Sequence, residues 1–374
     1  MSSRLLALGA SAAILFAACG PGASTAPTTA PTTGGSPAAT GTPVPSAAAF
    51  KACLVTDTGG LGDKGFNDNA LKGLQDALKA GYASEVKNLE SKKDADYASN
   101  IDALVTDECQ QITTVGFNMG TVTETKAGEN PDVAFSIVDY APAKAIPNMT
   151  GIVFATQEAG MLAGYLAAGV SATGKIGTYG GLPIPPVTDF MDGLWAGIKY
   201  YNQENGKSVE LLGYNPADKD GGVLAPASNP WGDPDFGNTQ AQAFFQEGVD
   251  IVVPIAGGTG IGSFTAAKQA QAAGKKVYAI GVDTDQYITA PGFEQVILTS
   301  IMKIIDKAVA DAIHQAQGGT LGGTNYVGTL ANGGVGLAPF HDLSTLVSAD
   351  LQTGLDALKG KIADGSIKVA DYLK

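Results

Sequence analysis

The residues best suited to chemistry lie together near the start of the globular part of the chain. Residues 54–67 read LVTDTGGLGDKGFN. Within eleven positions they place two acids (Asp57, Asp63), an aromatic ring (Phe66) and a carboxamide (Asn67). Carboxylates are pure hydrogen-bond acceptors, a carboxamide both donates and accepts, and an aromatic ring offers a flat apolar face. Such a set suits the capture of a flat, polar-edged small molecule. The alternative is structural: Asp63 caps a helix and Phe66 is core.

The elements that position this set are a strand, a loop and a helix. A short apolar run ends at Asp57, a glycine-rich loop follows, and Leu71, Leu74 and Leu78 carry a helical period. In open α/β sheets, ligands gather outside the carboxyl ends of the strands. Strands expected near 53–57, 85–90, 111–116 and 133–138 alternate with helices near 66–80, 95–108 and 119–128. After residues 151–155 and a helix at 157–170, a second set follows. Its strands are expected at 175–180, 209–214, 250–255 and 277–282, and its helices near 187–203, 238–247 and 261–273. Strands spaced in this way argue for parallel sheets covered on both faces. Two such sets make two lobes. Segment 295–303 reads as a return crossing before a helix at 304–317, and 325–374 adds a strand and a terminal helix at 344–363. The resulting division is 49–156 plus 296–320 for the first lobe and 157–295 plus 321–374 for the second. A chain that crosses several times between lobes makes a hinge that can close on a ligand.

Other strand ends supply further candidates. Asp139 closes the apolar run FSIV, where a buried carboxylate must pair or meet a donor; an Asx turn before Pro142 is the plainer reading. Residues 180–187, GGLPIPPV, are either a close-approach loop or a turn on the hinge side. Trp231 or Phe236 can supply a second ring face. Gly257 and Gly258 lie in IAGGTGIG, which lacks the G-x-G-x-x-G spacing, so close backbone packing against a neutral ligand is preferred to a phosphate cradle. Asp283 ends the run AIGV, and Lys303 ends 297–303; they contact a ligand or form an ion pair bridging the lobes.

Several stretches together resemble the basic membrane protein family, also called the purine nucleoside receptor A family, of substrate-binding lipoproteins of ABC importers. They are VTDTGG-x-x-D-K-x-FN, FSIVDY, QEAGMLAGYLAAG, GTYGGLPIPPVTDFMDGLWAG, IAGGTGIG, AIGVDTDQ and ILTSIMK, in order over roughly residues 50–310. The resemblance implies a type I periplasmic-binding-protein fold: two doubly wound parallel-sheet α/β lobes joined by a multi-crossing hinge. It implies that Phe66 and Asn67 contact the ligand, that Asp139 contacts a base, and that Asp283 and Lys303 reach ribose hydroxyls. It further implies a nucleoside ligand and ABC permease subunits as partners. Another ligand class (a sugar, an amino acid or an autoinducer), or a sensor role on the same fold, stays open because fold does not fix function.

The remaining features concern address and solubility. Leu5 to Ala18 is an apolar run behind Arg4, too short to span a bilayer, and fits a signal peptide over 1–18. Cys19 follows Phe16-Ala17-Ala18 and resembles the lipidated cysteine of a bacterial lipobox, with Phe16 at the usual leucine position. An ordinary secretory signal is the alternative. Pro, Thr, Ala, Gly and Ser dominate 19–48, which reads as an extended tether. Export makes a disulfide between Cys53 and Cys109 reasonable if the first and third strands are neighbours; two buried thiols are the alternative. The net charge of −13 argues against nucleic-acid binding. No G-x-S-x-G, no histidine near the acids and no metal-ligand spacing support an enzyme; neither cofactor nor metal is expected, and a monomer is.

Overall fold

A computed structural model describes residues 49–217 and 221–374. The signal peptide, Cys19 and the tether therefore lie outside the described residues.

The first lobe begins with β1 (Lys51–Val55), α1 (Phe66–Lys79), β2 (Glu85–Leu89), α2 (Asp96–Thr106), β3 (Gln111–Val115), α3 (Gly120–Glu129), β4 (Ala134–Val138) and β5 (Met149–Phe154). The chain then crosses to the second lobe. There it forms α4 (Thr156–Val170), β6 (Lys175–Gly180), α5 (Pro185–Asn205), β7 (Glu210–Leu212), α6 (Pro234–Gln246), β8 (Ile251–Ile255), α7 (Ile261–Ala272), β9 (Tyr278–Asp283), α8 (Gln286–Thr289) and β10 (Ile297–Lys303). It returns for α9 (Ile305–Gln317) and β11 (Tyr326–Gly328), then crosses again for β12 (Val335–Leu337) and α10 (Ala349–Ala363). The sheet orders are β2-β1-β3-β4-β5-β11 and β7-β6-β8-β9-β10-β12. Both contain the doubly wound 2-1-3-4-5 order, so each lobe has a switch point between its first and third strands.

Strand alternation explains the layers. On β1, Ala52 and Leu54 face the cluster that contains Leu74 of α1 and Val309 of α9; Cys53 and Val55 face Tyr97, Ile101 and Leu104 of α2. The period of α9 is helical, with Ile305, Ala308, Val309, Ala312 and Ile313 all buried. Small residues let α4 and α5 touch at backbone distance: a Cβ on Gly164 would stand 2.2 Å from the Leu194 carbonyl oxygen. Cys53 and Cys109 are joined as a disulfide beneath α2, with β1 and β3 side by side as expected. Cys53 sits mid-strand rather than at its start, because β1 begins at Lys51.

Two boundaries differ from the expected division. Residues 296–303 were expected with the first lobe, yet β10 pairs in parallel with β9 and antiparallel with β12 in the second sheet. Residues 321–374 were expected wholly in the second lobe, yet β11 pairs with β5 in the first. A continuous apolar run such as ILTSIMK announces a strand buried on both faces but carries no label for which sheet receives it.

Candidate functional site

The carboxyl ends of both sheets face one another across a cavity. From the first lobe it is lined by Asp57, Asp63, Phe66, Asn67, Phe117 and Asp139. From the second come Val187, Phe190, Trp231, Gly257, Asp283 and Lys303, among others. Nine residues expected at the site are thus brought together.

The first polar group belongs to the β1–α1 loop. One Asp57 oxygen accepts hydrogen bonds from the Gly59 amide and the Asn67 side-chain amide, both at 2.9 Å. Gly116, with φ 121°, lets the next loop lie on that carboxylate: a Cβ there would be 3.0 Å from Asp57 Oδ2. Asp63 accepts from the backbone amides of Gly65 (3.0 Å), Asn67 (2.8 Å) and Asp68 (3.2 Å), satisfying orphan donors at the start of α1. The capping role of Asp63 is therefore real, and it lines the cavity as well. Asn67 donates both to Asp57 and, at 3.2 Å, to Asp63. Two carboxylates fix the orientation of its amide. Its Oδ1 is left buried and unpartnered. Burial pushes the Asp57 carboxyl up to about 7, against the lowering effect of Asn67 and Gly59, and pushes Asp63 up to about 6.

The second group forms where β4, β9 and β10 end. Lys303 Nζ donates to Asp139 at 2.7 Å and lies 3.2 Å from Asp283, with the three side chains between 3% and 8% exposed. Asp139 comes from one lobe and Asp283 and Lys303 from the other, so the pair bridges the lobes. Both acids are left-handed, with φ of 66° and 69°. Such backbone strain in non-glycine residues gathers at functional sites. Burial alone would lower the Lys303 ammonium; the two carboxylates outweigh it and hold its pKa above the usual lysine value. The ammonium also stands 4.8 Å from the Phe66 ring centroid and 5.2 Å from that of Phe190. Asp139 is thus ion-paired with Lys303 while lining the same cavity as Asp57.

Trp231 lies in the loop before α6, over Gly181, where a Cβ would meet the ring at 2.1 Å. Its carbonyl accepts from the Thr259 amide at 3.0 Å. Phe236 is not in the lining. It packs edge-on against Tyr179, centroids 5.7 Å apart, as part of the core beneath α6. Gly258 also falls outside the lining and packs between the Trp231 carbonyl and Asp63. Asp285 pairs with His341 at 2.8 Å, away from Lys303.

Sequence reasoning missed Phe117, Phe190 and Asn69. Phe117 follows β3, so the strand-end rule applied to that strand would have found it. Phe190 is on the first turns of α5, four positions after Pro186, on a face the helical period would have exposed. Asn69 crosses the interface by donating to the carbonyls of Lys303 (3.2 Å) and Asp283 (3.4 Å), and no local signal announces that. At the mouth of the cleft, Thr289 Oγ1 (2.7 Å) and Gln286 Nε2 (3.3 Å) donate to the Lys64 carbonyl of the other lobe.

Two doubly wound lobes, three crossings and a cavity between strand ends define a solute-binding protein of the periplasmic-binding-protein type. The solved ABC transporter solute-binding protein of Aeropyrum pernix shares the fold at a TM-score of 0.75 and 28% identity, covering 85% of this chain and 92% of that one. The chain belongs to the family of PnrA-like ABC transporter substrate-binding proteins, whose model matches residues 50–371. The ABC transporter nucleoside-binding protein BmpA of Lactococcus lactis is 31% identical over 328 residues, 84% of this chain and 88% of that protein. The CD4+ T-cell-stimulating antigen of Listeria monocytogenes is 31% identical over 338 residues, 86% and 88% of the two chains. The protein is thus a substrate-binding component of ABC transport rather than an enzyme.

Proposed function

We propose that this protein is a lipid-anchored receptor that delivers a purine nucleoside to ABC permease subunits on the extracytoplasmic face of the cell membrane. The observation that carries the ligand class is the buried, unpartnered Asn67 Oδ1 held beside the Asp57 and Asp63 carboxylates. A buried polar atom without a partner is costly, and these are all acceptors. They suit a base edge rich in N–H donors, such as guanine or hypoxanthine. Phe66 and Trp231 offer ring faces, and Asp139, Asp283 and Lys303 offer acceptors and a donor to sugar hydroxyls. The Lactococcus relative, a nucleoside-binding protein by name, supports the same reading. An amino acid fits less well: its carboxylate needs a cation, and Lys303 is already committed to two acids.

Micromolar binding needs about −8 kcal/mol, within reach of one stacked base and several hydrogen bonds. Titration calorimetry with inosine and guanosine tests the reading. Phe66→Ala should weaken binding by about 1–3 kcal/mol, the value of one base–aromatic stack, while the variant still melts cooperatively. Unchanged affinity would remove the stacking role, and absence of heat with either nucleoside in the native protein would end the proposal. The anchor rests on the lipobox resemblance around Cys19 and the tether to residue 48. More than one acyl chain is needed for firm attachment. Cys19→Ser should move the protein from the membrane to the soluble fraction, and persistent membrane association would contradict acylation. A monomer suffices, since both faces of the cleft come from one chain.

A further inference from the structure

Beyond Asp139 the cleft continues into a second cavity of about 220 Å³ on the hinge side. That is room for several water-sized groups. It shares Phe117, Asp139 and Pro186 with the main cavity, and its other walls include Phe154, Thr156 and Asp189. Two of these are chemically unfinished. Thr156, the first residue of α4, is 2% exposed, and its hydroxyl has no hydrogen-bond partner. Asp189, near the start of α5, is half-buried, and no described residue donates to it or pairs with it. Burial, together with nearby Asp192 and Asp139, pushes its carboxyl up to about 6 against the weaker lowering effect of Lys303, so it is ionised at neutral pH at a cost. Asp192 by contrast has a partner, the Tyr214 hydroxyl at 2.6 Å. Lys303, the cation of the main cavity, is occupied by Asp139 and Asp283.

We propose that this compartment is a second subsite for the ligand, in which Asp189 and Thr156 receive an uncharged or cationic substituent at the 5′ end of the sugar and reject an anionic one. The proposal rests on the nucleoside reading, with the sugar at the Asp139–Lys303–Asp283 end. A hydroxyl or ammonium at that position gives Asp189 the donor it lacks, and the Thr156 hydroxyl can donate or accept. A phosphate there meets Asp139 and Asp189. Among the described residues of its lining there is no cation, and the nearby Lys303 already balances two acids, so like charges brought together out of water repel. The compartment therefore extends the ligand class to nucleosides with neutral or amino 5′ groups and excludes nucleotides.

The test is calorimetric titration of the full chain at pH 7.5 with inosine, 5′-amino-5′-deoxyinosine and inosine 5′-monophosphate. The amine should bind about tenfold tighter than inosine, as a charge-assisted hydrogen bond implies, and the monophosphate at least about tenfold weaker. In Asp189→Asn the amine-to-inosine ratio should collapse to near one. An amine that binds no tighter than inosine in the native protein, or a ratio unchanged in the variant, would overturn the subsite. The three-ligand comparison on the native protein stands even if the variant does not fold. Inosine binding without amine preference sinks this inference alone; failure of inosine itself sinks the nucleoside reading and the subsite with it.

Discussion

Replacing Lys303 by methionine is the most informative perturbation of the cleft. Methionine keeps most of the side-chain volume but deletes the ammonium that lies 2.7 Å from Asp139 and 3.2 Å from Asp283. Two buried carboxylates then face one another with no cation between them, at most about 6 Å apart. At an effective dielectric of about 20 their repulsion alone is about 3 kcal/mol. Breaking a buried pair by removing one partner costs about 3–5 kcal/mol. The cost is pH-dependent, and its sign is fixed. Burial already raises the Asp139 carboxyl above its ordinary value against the pull of Lys303; without that ammonium it stays raised, so the folded state holds its proton more tightly than the unfolded chain. Stability is then present at low pH and lost as pH rises through the folded pKa, with a slope approaching about 1.4 kcal/mol per pH unit for one proton. In the native protein the raised Lys303 pKa keeps the ammonium charged up to alkaline pH.

Urea unfolding at pH 5, 6.5 and 8, followed by circular dichroism, should therefore show a stability gap between native and Lys303→Met that widens with pH. Because Asp139 belongs to one lobe and Asp283 to the other, the variant can escape part of the repulsion by opening. Small-angle scattering should give a larger radius of gyration than the native protein at pH 8 and a similar one at pH 5. Adding Asp139→Asn should recover more than half of the loss. A gap below about 1 kcal/mol, or one of constant size across the pH range, would refute the account of Lys303 as a charge shared between lobes.

Two further outcomes follow from the other groups. Burial raises the Asp57 carboxyl to about 7, whereas a ligand N–H donor favours the carboxylate. Nucleoside affinity should thus rise with pH up to about 7, by as much as about tenfold per unit, then level off, and Asp57→Asn should abolish the slope; a flat native profile would exclude Asp57 from ligand contact. The same raised pKa destabilises the ligand-free protein as pH climbs from the unfolded value towards 7. Thr289→Val deletes the hydrogen bond to the Lys64 carbonyl at the mouth of the cleft. A loss of about 1 kcal/mol should speed nucleoside release about fivefold in stopped-flow fluorescence, and an unchanged rate would show that this contact does not hold the lobes closed.

How much of this was legible in the chain depends on the range of the interaction. Strands and helices were, because β1, β3 and β8 are short continuous buried runs and the face of α9 repeats with a helical period. The β1–α1 loop was, because its acids, ring and amide lie within eleven residues. The strand ends at Asp139 and Asp283 were, because a carboxylate after an apolar run is conspicuous. Pairing was not: Lys303 meets Asp139 across a sequence separation of 164, and nothing local to either residue states that they meet. The same blindness put β10 in the wrong lobe. Phe236 failed for a different reason. An aromatic residue in a loop before a helix looks the same whether it turns outward to a cleft or inward to Tyr179, and the packing of Tyr179 decided it.

The sequence left two readings of Asp139, Asp283 and Lys303 open, ligand contact or interlobe ion pair; the structure shows the ion pair, and its geometry leaves room for the proposed ligand contact as well. Asp139 and Asp283 end the fourth strand of each sheet in chain order, and both adopt the left-handed conformation, so the two lobes present equivalent acids to the same cavity. A carboxylate has about four lone-pair sites, and each acid gives one to Lys303. An ammonium has three donors, of which two are engaged. Capacity for sugar hydroxyls therefore remains on all three residues while the ion pair stays intact. The pair sets the separation of the two acids before any ligand arrives, which reduces the ordering cost of binding. On the proposed reading, closure and recognition depend on the same three side chains, so a substitution at any of them should change both.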